Sequence, residues 1–137
     1  MGTGEGDPRN SVGYGWGVYR SVDGGQTWKN LGLKKTERIK RIVVDPNNPD
    51  VACVCALGKQ WGPNKERGVF KTTDGGKTWD KVLFIDEDTG CADIAIEIKN
   101  PRVMYAGMWT FRRKPWRFDD GGKNTAVYKT TDGGTTW

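Results

Sequence analysis

An eight-residue phrase occurs three times in this chain, as Ser21-Val-Asp-Gly-Gly-Gln-Thr-Trp28, Thr72-Thr-Asp-Gly-Gly-Lys-Thr-Trp79 and Thr130-Thr-Asp-Gly-Gly-Thr-Thr-Trp137. Each copy follows a Val-aromatic-basic triplet: Val18-Tyr19-Arg20, Val69-Phe70-Lys71 and Val127-Tyr128-Lys129. The closing tryptophans are 51 and 58 residues apart, so the repeating unit is much longer than the phrase that marks it. A repeat of about 50 residues made of short strands is the pattern of propeller blades. Twenty glycines and seven tryptophans in a chain that is only 35% apolar fit an all-β protein with many tight turns. No stretch sustains a 3.6-residue period, so no helix is expected.

The segments between the phrases repeat an order of four strands, A to D. In the middle unit, Ile39–Val44 reads as strand A, Asp45–Asp50 as a Pro/Asn turn, and Val51–Leu57 as an apolar strand B covered on both faces. A polar loop over 58–68 leads to strand C at Val69–Thr72, and Trp79–Ile85 is strand D. In the next unit, Ala92, Ile94, Ile96 and Ile98 share one face of strand A, Lys99–Arg102 is the turn, and Val103–Trp109 is strand B. A loop from Thr110 to Thr125 then leads to strand C. The expected organisation is a partial β-propeller of antiparallel blades: an incomplete B-C-D blade over 1–33, a full blade over 34–90, and A-B-C with a truncated D over 91–137. Such an open array exposes strand edges and a blade face, which predicts self-association or packing against further blades.

Within the phrase, the residues Ser21, Asp23, Gly25, Thr27 and Trp28, then Thr72, Asp74, Gly76, Thr78 and Trp79, then Thr130, Asp132, Gly134, Thr136 and Trp137, carry a structural role. The Asp carboxylate can accept backbone N–H groups and close the turn. The glycines permit positive φ, the hydroxyls can link the flanking strands, and each Trp ring can pack on the blade sheet. A catalytic Asp repeated identically in every blade suits no single active site, and one carboxylate per turn is poor for calcium. With no His in the chain, Cys/His zinc sites are excluded. No metal or cofactor is therefore expected, and Cys53, Cys55 and Cys91 read as small buried thiols.

The phrase resembles the Asp-box, or BNR, repeat. The chain is similar over nearly its whole length to the BNR and sortilin-like (VPS10) propeller superfamily, which includes xyloglucanase-like glycoside hydrolases. The stretches Gly4–Ser11, Trp61–Lys71 and Phe111–Trp116 add to that resemblance. It implies propellers of seven or more blades, of which this chain would supply about two and a half, and members that are often exported. The segment Met1–Gly6 lacks the basic and apolar regions of a signal peptide.

Alternating strand direction sends the A–B and C–D turns to one face of the blades and the B–C and D–A loops to the other. The three B–C loops pair aromatic with basic residues: Arg9, Tyr14 and Trp16; Trp61, Lys65 and Arg67; Arg112, Arg113, Trp116 and Arg117. Flat rings can hold sugars or apolar side chains, and guanidinium groups can fork onto carboxylate, phosphate or sulfate. Such loops also pack on themselves, with Arg stacked on rings. Taken together they predict a non-enzymatic binding face for a protein, peptide or glycan. The alternative is a glycoside hydrolase fragment, which needs two opposed carboxylates; Glu66, Asp86, Glu87, Asp88, Asp119 and Asp120 are the loop-face candidates. Net charge is only +5, with acids mixed among the bases, which disfavours nucleic acid, and no apolar run is long enough for a helical membrane span.

Overall fold

A computed structural model of the chain describes residues 1–7 and 9–137; Pro8, in the first B–C loop, lies outside them. The structure is all-β, with antiparallel sheets and one short 3-10 turn at Lys34–Thr36. The first blade pairs β1 (Tyr19–Arg20) with β2 (Lys29–Asn30), and Gly2 bridges to Val18 beside them. The second blade is a four-stranded meander of β3 (Ile39–Asp45), β4 (Asn48–Ala56), β5 (Gly68–Thr72) and β6 (Asp80–Leu83). The third orders β7 (Thr89–Ile96), β8 (Met104–Lys114) and β10 (Ala126–Thr130), with β9 (Arg117–Asp120) paired to the far half of β8.

Strand alternation sorts the apolar side chains into two layers, each shared by neighbouring blades. Val18 of the first blade packs with Ile39, Val54, Ala56 and Phe70 of the second, and Leu31 and Trp79 lean on that layer. On the opposite face of the second blade, Cys53, Cys55, Val69 and Leu83 meet Cys91, Ile94, Met104, Ala106 and Met108 of the third. A blade here has no core of its own; its stability comes from the faces that it shares.

The same chemistry closes all three repeated turns. In the second, the Thr72 hydroxyl accepts from Gly76 N–H at 2.9 Å and donates to the Asp74 carboxylate at 2.8 Å. That carboxylate accepts from Thr78 N–H at 3.0 Å and from the Thr78 hydroxyl at 2.7 Å. Asp23 and Asp132 do the same with Thr27 and Thr136. The hydroxyls therefore serve the turn itself and do not link the flanking strands. Both glycines of each phrase hold φ between 70° and 93°, a region that a Cβ disfavours.

Three further expectations need correction. Cys55 and Cys91 form a disulfide between β4 and β7, leaving Cys53 alone as a buried thiol. The two cysteines face each other because the blades stack front to back. A Cβ on the adjoining Gly90 would fall 2.3 Å from the Leu57 carbonyl oxygen, and its absence lets β7 approach that closely. Next, residues 110–125 are not an open loop: β8 runs on to Lys114, turns, and returns as β9. Finally, the expected alternation of Ala92, Ile94, Ile96 and Ile98 is broken by a register shift between Cys91 and Asp93, so Cys91 and not Ala92 joins Ile94 in the buried layer, and Ile98 lies beyond β7.

Burial pushes the Cys53 thiol up to about 11, so its nucleophilic thiolate is scarce at neutral pH. Thiol titration of the unfolded, unreduced chain should therefore count one thiol, rising to three after reduction, and the native chain should react with none. The bond separates residues 36 apart, and loop-closure entropy sets its stabilisation at up to about 4 kcal/mol; reductant should lower the denaturation midpoint accordingly.

Candidate functional site

The irregular connections gather on one side of the blades, as strand direction requires, and they touch one another. Gln60 in the second B–C loop donates to the Arg9 carbonyl in the first at 2.6 Å. Arg113 on the third hydrogen-bonds Asn10 in the first, and Trp61 in the second bridges to Arg113 in parallel fashion. Three segments from three blades thus form one continuous surface. Asn10 and Gln60, which join them, carry no sequence pattern that marks them out.

Two buried arginines hold this surface from below. The Arg67 guanidinium donates to the carbonyls of Leu57 at 2.6 Å, Lys59 at 3.0 Å and Gly62 at 3.4 Å. Arg38 donates to the Gly58 carbonyl at 2.7 Å and to Gln60 at 2.6 Å. Both lie over the Phe111 ring, at 4.5 and 5.3 Å from its centre, so Phe111 draws on cation–π attraction from two partners. Burial pushes each guanidinium down to about 10, which leaves both charged at neutral pH. Arg67, expected among the ligand contacts, is only 1% exposed and supports the loop instead. A charge next to a Gly-rich loop reads as exposed; only the loop's unpaired carbonyls require it inside.

Between the first and second blades this surface opens into a groove of about 630 Å³. Its lining takes Tyr14 and Trp16 from the loop of the first blade, Lys59 and residues 63–66 from that of the second, and Lys34, Lys35, Glu37 and Glu87 from the connections between blades. Tyr14 and Trp16 are 60% and 67% exposed although their backbones are fixed. Trp16 N–H donates to the Thr3 hydroxyl at 2.8 Å, its carbonyl accepts from Asn30 at 2.8 Å, and the intervening Gly15 N–H donates to Glu37 O at 2.7 Å. Asn64 ties the second-blade loop to the Lys35 carbonyl at 3.2 Å and to the Glu87 carbonyl at 2.9 Å. Lys59 and Lys65 sit 3.9 Å from Glu37 and Glu87. Lys34 and Lys35 form no ion pair among the described residues, so the groove offers exposed rings beside uncommitted ammonium groups.

Beyond the groove stands the β8–β9 hairpin. Trp109, Phe111 and Phe118 pack its base, with ring centres 4.8 to 6.4 Å apart, and Arg113 lies over Phe118 at 5.2 Å. Trp116 stands at the tip, 81% exposed. Arg112 pairs with Asp88, and Arg117 with Asp119. Of the ten expected ligand residues, Tyr14, Trp16 and Lys65 meet in the groove. Trp61 and Arg113 join the loops, Trp116 and Arg117 occupy the hairpin tip, and Arg9 pairs with Glu5.

Most of the candidate carboxylates are occupied in other ways; Glu87 sits by Lys65, and only Glu66, in the groove lining, holds no partner among the described residues. Asp88 and Asp119 hold arginines, and Asp120 accepts from the Trp109 indole. Burial pushes Asp86 up, but hydrogen bonds from Asn124, Thr89 and the backbone of Asp88 outweigh it and keep its carboxyl below the ordinary value. A glycosidase acid requires the opposite shift. Truncating Arg67 to Ala should strand its three carbonyls, cost about 2–3 kcal/mol at roughly 1 kcal/mol for each lost hydrogen bond, and speed amide exchange across residues 58–64.

Comparison with known proteins gives a consistent picture. The family model described as "Sortilin, neurotensin receptor 3" of the Sortilin-Vps10 group matches residues 17–137. A curated relative, "Vacuolar protein sorting/targeting protein 10" of Kluyveromyces lactis, is 32% identical over 84 residues, which cover 57% of this chain and 5% of that protein. The crystal structure of an ancestral GH74 enzyme superposes with a TM-score of 0.62 at 22% identity, over 96% of this chain and 17% of that one. At that identity the likeness bears on the fold alone. The chain thus spans a small part of each of these two proteins.

Proposed function

This chain belongs to the Sortilin-Vps10 family, and on that footing we propose that it is a non-enzymatic binding module that holds a protein or peptide on its loop face. The observation that carries this reading is the convergence of three B–C segments into one braced surface, where Tyr14 and Trp16 stand exposed beside Lys34 and Lys35. Preformed aromatic surface limits the ordering cost of binding, and Trp and Tyr are the side chains that most often dominate interface energies. The names of the matched family and of the yeast relative, a receptor and a protein-sorting factor, favour a protein ligand over a small metabolite.

A second reading has its own support. Trp16 and Trp116 expose ring faces that a sugar can stack on, and the fold resembles a GH74 enzyme. In that case the chain is part of a glycan-binding or glycoside-hydrolase propeller, with its catalytic carboxylates still to be identified.

The two readings separate in one experiment. A peptide library and a panel of β-glucan and xyloglucan oligosaccharides are titrated against the wild type and against Tyr14→Ala, Trp16→Ala and Trp116→Ala. Peptide binding that weakens at least about tenfold in Tyr14→Ala or Trp16→Ala, and weakens with added salt, is the expected result. Peptide binding unchanged in all three variants overturns the assignment to this face. Oligosaccharide binding or turnover without peptide binding replaces it with the second reading.

A further inference from the structure

Among the described residues, only Leu33 and Glu37 hold positive φ without being glycine, at 56° and 57°. They bracket the 3-10 turn Lys34–Thr36, which carries the two exposed lysines of the groove lining. A side chain disfavours that backbone region, most of all at Glu37, where ψ is −35°. Contacts from both neighbouring loops hold the turn in this shape. Gly15 N–H from the first-blade loop donates to the Glu37 carbonyl at 2.7 Å, and Asn64 from the second-blade loop donates to the Lys35 carbonyl at 3.2 Å. Thr36 is fully buried, its hydroxyl donating to the Leu33 carbonyl at 2.8 Å, and Arg38 N–H donates to the Thr36 carbonyl at 2.6 Å. Strain gathered at one turn and over-determined by its surroundings is the pattern of a ligand clamp.

The charge around this turn is unbalanced in one direction. Of the four lysines in the lining, Lys59 and Lys65 lie 3.9 Å from Glu37 and Glu87, which offset them. Lys34 and Lys35 have no carboxylate at ion-pair distance among the described residues. Neither has Arg38, which follows Glu37 in the chain and is fully buried, with its Nη2 unpartnered. Against these three cations the lining holds one uncommitted acid, Glu66. A buried guanidinium is poorly screened, so its field reinforces that of the two ammonium groups. Tyr14 and Trp16 stand exposed in the same lining.

Resting on the reading that this face holds a peptide, we infer that the peptide is acidic and that the turn between Leu33 and Glu37 is the element that selects it. Its carboxylates take the Lys34 and Lys35 ammonium groups, and a neighbouring apolar or aromatic side chain lies against Tyr14 and Trp16. Lysine binds as a compact charge with three donors, so the pair accepts adjacent Asp or Glu side chains without demanding one geometry. Because the turn is fixed before binding, the ligand does not have to order it. Complementary charge supplies the selection, since a basic segment meets repulsion at the same place.

Fluorescence-anisotropy titration of the full chain tests it with three labelled peptides of one length: Asp and Glu residues around a central Trp, the Asn/Gln counterpart and the Lys counterpart. The wild type should bind the acidic peptide at least about tenfold more tightly than the Asn/Gln peptide. A double variant with Lys34→Glu and Lys35→Glu should lose that preference and gain affinity for the Lys peptide. Both side chains are exposed, and circular dichroism follows the fold. Lys77→Glu, in the second repeated phrase on the opposite face, should bind as the wild type does. Equal binding of the acidic and Asn/Gln peptides overturns the inference and leaves the peptide reading standing, as does a double variant that keeps the preference. Weakening by Lys77→Glu as large as that of the double variant traces the effect to net charge and also overturns it. If neither these three nor a charge-balanced peptide library binds, both readings fall. Oligogalacturonate that binds where the acidic peptide does not puts an anionic glycan in the groove and overturns the inference.

Discussion

Everything in this fold depends on burial shared between neighbouring sheets. The blades are too thin to enclose a core, and side chains at alternate positions point into one layer or the other. The apolar layer between the first and second blades and the one between the second and third are therefore the structure, and each sheet is a partition between them. The turns make this stacking regular. The Asp carboxylate and its two hydroxyl neighbours fix where each sheet reverses and so where each Trp and each basic residue reaches its neighbour.

That regularity on one side frees the other. Because the phrase and the A–B turn lock together, with Gly75 N–H on the Asp50 carbonyl and Gly133 N–H on the Arg102 carbonyl, the opposite connections can vary in length and composition without disturbing the stack. They remain ordered because Arg38 and Arg67, buried beneath them, collect loop carbonyls that no strand satisfies. Buried guanidinium groups are costly, and here the cost is offset by hydrogen bonds together with the Phe111 ring. A rigid surface with exposed rings is the result.

The all-β architecture and the placement of turns were legible because the thrice-repeated phrase is dictated locally: positive φ, a carboxylate and two hydroxyls define it within eight residues. What could not be read depends on distant partners. Cys55 and Cys91 meet only through the stacking of β4 on β7, which no spacing rule encodes. The hairpin was obscured because Pro115 and a run of charges resemble a loop. Its signal was the pair Phe111 and Phe118, set either side of the Pro-Trp turn, which pack with Trp109 at its base. Arg67 misled for the opposite reason, since a guanidinium is expected outside and the demand that draws it in comes from the loop carbonyls of residues 57, 59 and 62.

The covalent bond between Cys55 and Cys91 makes the stack mechanically uneven. The seam between the second and third blades is sutured, whereas the seam between the first and second is closed by non-covalent contacts, among them Val18, Trp79, the Arg20 contacts to Asp50 and Gly75, and the hydrogen bonds from Gln60 to Arg9 and from Gly15 to Glu37. Under tension, or in the partial openings that precede unfolding, the first blade separates along its unsutured seam while the other two travel as one body. The groove lined by Tyr14 and Trp16 and by residues 63–66 straddles that weaker seam. A ligand bound across it would act as a clasp on the joint that no disulfide crosses.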